Sequence, residues 1–417
     1  MNLTSLLRIW TTRSFKPFEF TSRHDDRLEF ETLDKLGLYV HIPFCRSICS
    51  FCPYCKVVYD RELSKEYLSA LLGEIELIGS TMSGPKEATS LYFGGGTPAL
   101  MLDSLADIIG ALKKNFIIRD GIGVELHPED VTDETLSVLK SSGVTMISIG
   151  VQSFDTGCLS ALGRRGTDYG RLFEAVRNAG FETVDMDLIF AIPGQTAETL
   201  KSDIETAFSN GATQISTYPF IDFTFADNRY KPLPERDKKS MLAEITAYCA
   251  ERGYQRTSVW TFSRPGTEKY SSITRDSFLG FGVSATTLLK GQFKINTFSI
   301  EGYIGRIRKE KLPTSLTLDF TLRQRAAYYL FWSAYSMRIS PASFQEYFGR
   351  SLESMYGPEI RLCVSLGLLK KAGEAYELTE KGAYYYHYIE QAYTTAYIDR
   401  MWNISRKVPF PEKIVLR

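Results

Sequence analysis

From residue 37 to about residue 261 the chain alternates short β-branched or apolar runs with longer stretches whose apolar positions recur at helical spacing. Runs at 37–42, 89–93, 123–126, 144–149, 183–189 and 214–220 read as strands. The stretches 64–78, 102–114, 133–141, 169–179, 198–210 and 237–252 read as amphipathic helices. Repeated strand–helix alternation predicts a parallel sheet with helical crossovers. Several runs are apolar almost throughout, as strands covered on both faces are. Right-handed crossovers curl such a sheet towards a barrel. The predicted fold class is therefore α/β, a partial (β/α)6 TIM-like barrel over 37–262. In such folds the ligand site lies at the carboxyl ends of the strands, in the loops that follow them.

After Trp260 the pattern changes. Arg264-Pro265-Gly266 reads as a turn and Gly280-Phe281-Gly282 sits in an irregular segment, so 263–315 reads as a connecting segment at the barrel mouth. A helix begins near 321. Ser340-Pro341 starts another, with Ser as N-cap and Pro at the first helical position. A further helix at 358–366 ends at Gly367, a short strand follows at 375–378, and a Tyr-rich helix comes after Thr379-Glu380-Lys381-Gly382. This order predicts a smaller, mainly helical, winged-helix-like C-terminal domain over 316–417. Tyr384, Tyr385, Tyr386 and Tyr388 read as amphipathic packing residues. The N-terminal arm, 1–36, mixes Phe, Trp and Arg and is expected to fold over the barrel mouth as a lid.

Composition adds little until cysteine is counted. Of 417 residues 44% are hydrophobic and 24% charged, as in ordinary globular chains. Lys+Arg and Asp+Glu both total 49, and this balance argues against a nucleic-acid partner, which asks for a basic footprint. No apolar stretch approaches the ~20 residues that cross a bilayer. Leu6, Leu7, Ile9 and Trp10 are broken by Arg8 and make neither a secretory signal nor an anchor. The expectation is a cytoplasmic protein without a membrane partner. Seven cysteines, an odd number in a long chain, do not suggest a disulfide framework. Cys158, Cys249 and Cys363 stand singly in helical segments and read as buried small hydrophobes. Cys45, Cys49, Cys52 and Cys55 fall within eleven residues and need their own explanation.

Cys45, Cys49 and Cys52 have the spacing C-x3-C-x2-C directly after the first strand. Three thiolates on one tight loop can cap three irons of a 4Fe-4S cubane and leave the fourth iron without a protein ligand. The alternative is a zinc knot with Cys55 as fourth ligand. Structural zinc sites usually pair two short pieces separated by a longer loop. No second pair appears here, because His24, His41, His127 and His387 are spread out. The iron–sulfur reading is favoured.

Tyr39-Val40-His41-Ile42-Pro43-Phe44-Cys45, followed by Cys49-Ser50-Phe51-Cys52, resembles the radical S-adenosylmethionine (radical SAM) superfamily. Within it the chain resembles the subgroup of oxygen-independent coproporphyrinogen III oxidase, haem chaperones and class C radical methyltransferases. The resemblance covers roughly 37–285 and, more loosely, the C-terminal domain. It implies that one or two S-adenosylmethionine molecules bind, the first chelating the open iron with its methionine amino and carboxylate groups. It further implies a 5′-deoxyadenosyl radical, a bulky substrate such as a tetrapyrrole, and a low-potential donor such as flavodoxin or ferredoxin. The activity implied is oxidation of the coproporphyrinogen dehydrogenase kind. The alternatives are methyl transfer or cyclopropanation with a second S-adenosylmethionine, and haem binding by a chaperone.

Other segments suit that chemistry. Gly95 and Gly96, with Thr97, follow the second strand in Gly94-Gly95-Gly96-Thr97-Pro98, where glycine permits close backbone approach to the methionine end. Glu125 ends the third strand and would accept hydrogen bonds from ribose hydroxyls or an ammonium. Asp187, a carboxylate in an otherwise apolar strand, is costly unless it has a partner. By resemblance, Gln152 and Arg164 match cofactor-binding positions, Arg164 by pairing with a carboxylate. Tyr39 and Phe51 would frame the cofactor, and Gly280-Phe281-Gly282-Val283-Ser284-Ala285 matches the family's segment near the barrel mouth. There are departures. Cys55 lies three residues after Cys52, not two, and is a bystander, a hydrogen-atom donor or a neighbour of the cluster. Ala191 stands where the family commonly has Gly. The stretch 269–275 lacks both the chaperone's His-Asn…Tyr-Trp element and the oxidase's Phe-Gln-Gly-Tyr-like element.

Overall fold

The computed structural model describes residues 3–23, 28–226, 228, 230–269 and 276–417. Six parallel strands follow the predicted order: Leu36–Ile42, Leu91–Gly95, Ile122–Leu126, Met146–Gln152, Thr183–Phe190 and Gln214–Pro219. Each pairs with the next in sequence. They are called the first to sixth strands below. The crossover helices are Arg61–Ser80, Leu102–Lys113, Asp133–Ser141, Tyr169–Ala179, Ala197–Ser209 and Glu235–Glu251. Polar side chains fix several of their starts: Asp60, Thr132, Asp168 and Thr196 each accept from a backbone N–H of the first turn. The fifth strand is buried along nearly its whole length, which is why its sequence is apolar rather than alternating.

The first and sixth strands do not pair, so the barrel stays open. Among the described residues the parallel run is the centre of a 14-stranded sheet. Thr261–Ser263 adds antiparallel to the sixth strand. Ser277–Phe281 adds parallel to the first, and Thr286–Leu288, Gln292–Asn296 and Thr314–Asp319 continue from it as an antiparallel meander. The segment 263–315, expected to be a connection, therefore carries sheet. Its strands are three to five residues long and interrupted by Gly280, Gly282 and Gly291, so no periodicity announces them. Residues 270–275 of the unmatched stretch lie outside the described residues, as does His24.

The expectation of an N-terminal lid is corrected. Phe18–Thr21 is inserted in the sheet between Thr314–Asp319 and the C-terminal strand Lys413–Leu416. The helix Leu3–Thr12 packs on the C-terminal helices Leu322–Tyr335 and Glu380–Tyr393. Sheet pairing satisfies backbone groups that a lid would leave to solvent.

The C-terminal region is mainly helical with a three-stranded sheet of Arg338–Ile339, Ala375–Leu378 and Leu369–Ala372. Ser340 caps Pro341–Phe348 as expected. The next helix runs Leu352–Ser365 rather than starting at Pro358. Ser351 caps it, and Tyr356 leaves helical geometry (φ −133, ψ 16) just before the proline, which accommodates a residue lacking an N–H. Of the four tyrosines read as packing, Tyr386 is buried whereas Tyr385 and Tyr388 are exposed. One contiguous core extends from Leu28 through the barrel to Tyr386, so barrel and C-terminal helices share it. No helix among the described residues is long and apolar enough to cross a membrane.

Candidate functional site

A cavity of about 550 Å³ opens at the carboxyl ends of the parallel strands. Cys45, Cys49 and Cys52 line it, together with Phe51, Gly95, Gly96, Thr97, Glu125, Gln152, Arg164 and Asp187. Of the site residues expected from the sequence, Tyr39 and Cys55 do not line it. The thiol of Cys55 is buried and reaches the Phe298 carbonyl at 3.4 Å. Tyr39 lies beside the cavity-lining Tyr92, their rings stacked with centroids 6.1 Å apart.

Tyr39 instead organises the cysteine loop. Its hydroxyl is 3.0 Å from His41 Nδ1, and His41 Nε2 is 2.8 Å from the Cys55 carbonyl oxygen. A carbonyl only accepts, so Nε2 carries the hydrogen and Nδ1 accepts from Tyr39. Burial depresses the His41 pKa to about 4, which keeps the ring neutral and this tautomer in place. The loop is gripped from the other side by Arg406, which donates to the carbonyls of Pro53 and Tyr54.

Cys45, Cys49 and Cys52 share one wall of the cavity, and Cys45 and Cys49 each feel the charge of Cys52; among the described residues no three His, Cys, Asp or Glu groups are already grouped as a single-ion site. Thr97 Oγ1 is 3.9 Å from Cys45 Sγ, near enough to donate weakly to a thiolate. Burial pushes the Cys45 thiol up to about 11 and raises Cys49, whose charged form Arg164 favours. A metal bound here would have to displace thiol protons.

The amides of Gly96 and Thr97 donate to the Ile42 and Phe44 carbonyls, each at 2.7 Å, and that of Gly95 to Glu125 Oε2 at 3.0 Å. Those N–H groups are spent on holding the cysteine strand and Glu125. A Cβ at Gly96 would come within 2.5 Å of the Phe44 oxygen, so the need for glycine is close approach to the cysteine strand. Glu125 is fixed by Tyr92, whose hydroxyl donates to Oε1 at 2.8 Å.

Gln152 is aimed by a bulge. The fourth strand carries one extra residue between Ile149 and Gln152 opposite Met186–Leu188, and Gln152 itself has φ 72. Bulges of this kind re-aim a side chain beside functional sites. Arg164 Nη1 donates to the Gly150 carbonyl at 2.6 Å, and its guanidinium lies 6.0 Å from the centre of the Phe51 ring. Asp187 accepts from Ser148 Oγ at 2.6 Å, and burial raises its pKa, with Asp185 adding to the shift. Ala191 has φ 63, a left-handed conformation that explains why glycine suits this position.

Several lining residues escaped the sequence reading. Asp185 lies two residues before Asp187, and strand alternation puts both on one side, so parity would have found it. Tyr92, His127 and Tyr218 adjoin strand ends already singled out. Trp260, Tyr328, Trp332, Tyr335, Glu390, Tyr393 and Trp402 form a wall supplied largely by the C-terminal helices, for which the barrel pattern holds no signal.

Residues 39–207 match the family model described as the radical SAM superfamily. The heme chaperone HemW of Bacillus subtilis (strain 168) is 29% identical over 362 residues, covering 82% of this chain and 95% of that protein. The oxygen-independent coproporphyrinogen III oxidase of Pseudomonas aeruginosa is 27% identical over 300 residues, covering 64% of this chain and 65% of that one. Among solved structures, coproporphyrinogen III oxidase (HemN) from Escherichia coli superposes with a TM-score of 0.74 at 21% identity, covering 93% of this chain and 98% of that one, a likeness of fold. The cysteine loop, the open parallel barrel and the family model agree on one conclusion: residues 39–207 of this chain form a radical SAM domain.

Proposed function

We propose that the chain is a radical SAM enzyme that oxidises or otherwise modifies a bulky, tetrapyrrole-like substrate. The observation that supports this is convergence: one cavity is lined by the three cysteines, by the polar groups expected to hold the cofactor and by an aromatic wall. In this reading Cys45, Cys49 and Cys52 hold a 4Fe-4S cluster, and Gly95, Gly96, Thr97, Glu125, Gln152, Arg164 and Asp187 hold S-adenosylmethionine. When bound and reduced by a low-potential donor, the pair supplies a 5′-deoxyadenosyl radical that takes a hydrogen atom from carbon.

The chain's own residues bind, orient and exclude water. Arg164, held by the Gly150 carbonyl, keeps a fixed cation beside Cys49 for a carboxylate ligand. Glu125 and Asp187 present carboxyl groups already oriented by Tyr92, Gly95 and Ser148. The aromatic wall keeps solvent from a reactive centre. A second reading, haem binding by a chaperone, is favoured by the likeness to HemW along 95% of that protein.

Dithionite-reduced, iron-reconstituted protein with S-adenosylmethionine and candidate porphyrinogens is expected to yield 5′-deoxyadenosine and a product of altered mass. S-adenosylhomocysteine alongside it would move the reading to methyl transfer. Tight haem binding with no cofactor cleavage would hand the chain to the chaperone reading. Zinc in place of iron would overturn the cluster assignment.

A further inference from the structure

The N-terminal helix Leu3–Thr12 is packed inside out. Its polar side chains Thr4, Ser5, Arg8 and Thr12 are the buried ones. Leu3, Leu6 and Trp10 face outward, between 39% and 52% exposed, and Leu7 and Ile9 are half-buried. Leu3, Leu6, Leu7 and Trp10 stand at i, i+3, i+4 and i+7, the spacing of one continuous stripe, and a surface helix ordinarily turns such a stripe to the core. Here none of the five apolar side chains belongs to a hydrophobic cluster of the described residues. Phe15, 82% exposed just beyond the helix, lengthens the apolar surface, and so does the exposed Leu322 beside it. An apolar stripe left outward in this way marks an interaction site.

Polar contacts fix the orientation. Arg8, on the buried side, donates to the Ser14 and Lys16 carbonyls. Arg13 pairs with Glu359 at 3.1 Å. Arg323, next to Leu322, donates to the Thr11 carbonyl at 3.0 Å and to the same Glu359 at 2.6 Å. Turning the leucines inward would break these bonds, so the stripe stays at the surface.

Charge selects the occupant. Residues 1–18 hold three cations, Arg8, Arg13 and Lys16, and no acid, in a chain whose cations and acids both total 49. Lys16 is exposed. Arg13 and Arg323 share the one carboxylate of Glu359, which leaves a net positive charge beside the stripe. Leucines and a tryptophan flanked by cations are the composition of helices that lie in a bilayer interface rather than across it. The ten residues rise about 15 Å, half of a ~30 Å hydrocarbon core.

We infer that the Leu3–Thr12 helix docks the protein on a bilayer surface rich in anionic lipid, with Leu3, Leu6, Trp10 and Phe15 in the interface and Arg13 and Lys16 against the headgroups. The expectation of no membrane partner followed from the lack of a spanning stretch, and a helix lying in the interface needs none. None of these residues lines the cavity, so the inference stands or falls apart from the proposed chemistry.

The test floats the cluster-loaded, full-length protein through a sucrose gradient, without oxygen, with vesicles of phosphatidylcholine and with vesicles of equal parts phosphatidylcholine and phosphatidylglycerol. Partition onto the anionic vesicles is expected to be about tenfold higher or more, an advantage that falls in high salt. Leu6→Glu and Trp10→Glu, made singly, should each lower that partition about tenfold or more. Lys16→Glu should lower it about fivefold or more and touches no apolar residue, so it keeps the test open if either of the others misfolds. Both outward positions lie outside the core, and the parent's denaturation midpoint should survive in all three variants. No flotation with either vesicle, equal partition onto both, or partition unchanged in all three variants overturns the inference. A parent that sediments as a dimer without vesicles, and as a monomer once Leu6→Glu is made, gives the stripe to a second copy of the chain and also overturns it.

Discussion

Cys55 and its three neighbours differ in where the sulfur points. The Cys55 thiol is buried against the Phe298 carbonyl, and its backbone oxygen holds His41, whereas Cys45, Cys49 and Cys52 line the cavity. Replacing any one of those three by Ala should abolish iron retention and 5′-deoxyadenosine formation after anaerobic reconstitution. Cys55→Ala should keep about four irons per chain, because its role is carried by main-chain atoms. Iron analysis and product chromatography on the four variants decide the matter; iron loss in Cys55→Ala would make it a ligand. Ala191 makes a quieter point about magnitudes. Its left-handed backbone costs roughly 1–2 kcal/mol, while glycine there would add about 0.5–1 of unfolded-state entropy and lose about 0.8 for a buried methyl. These terms nearly cancel, so an alanine persists where the family commonly has glycine.

Between elements, Glu74 is the joint that ties the first crossover helix to the added part of the sheet. Its carboxylate accepts from the Gly282 amide at 2.7 Å, Asn296 Nδ2 at 3.0 Å and the Tyr303 hydroxyl at 2.6 Å, groups from three separate segments. Glu74→Ala strands three buried donors and should destabilise the protein by about 3–5 kcal/mol, whereas Glu74→Gln keeps an acceptor and should cost less. Denaturant unfolding of the two variants checks this, and equal stabilities would show the network to be idle. The joint also marks the limit of what the sequence discloses. The six strands and their helices were legible because two-sided burial writes apolar runs and one-sided burial writes apolar positions at helical spacing. The cysteine spacing was legible because it is local. Phe18–Thr21 pairing with Lys413–Leu416 was not, since partners at opposite ends of the chain leave no local signature. Nor was the cavity wall around Glu390, whose helix reads as ordinary packing until another element is placed across from it.

The molecule as a whole keeps acids protonated well beyond the range in which an unfolded chain releases them. Burial pushes Glu74 and Glu390 up to about 7 and Asp203 up to about 6. Unfolded, these carboxyls ionise near 4, so from about pH 4.5 to 7 the folded state binds more protons than the unfolded state. Stability then falls as pH rises through that window, by about 1.4 kcal/mol per pH unit for each carboxyl still protonated in the fold. His41, held neutral down to about pH 4, acts in the opposite sense: below about 6.5 the unfolded chain takes up a proton that the folded ring refuses. The two effects oppose each other below pH 6.5 and flatten the curve there, while above it the acids act without that opposition. Unfolding free energy should therefore drop between pH 6.5 and 8 as Glu74 and Glu390 ionise, with Asp187, also raised by burial, adding to the fall. Glu390→Met should make that drop smaller without abolishing it, because one of several raised carboxyls is gone. Denaturant midpoints at three pH values across that interval, for the parent and the variant, measure it directly. A parent curve that rises with pH would mean that these acids are ionised in the fold, with cations beside them that the packing around Glu74 and Glu390 does not supply.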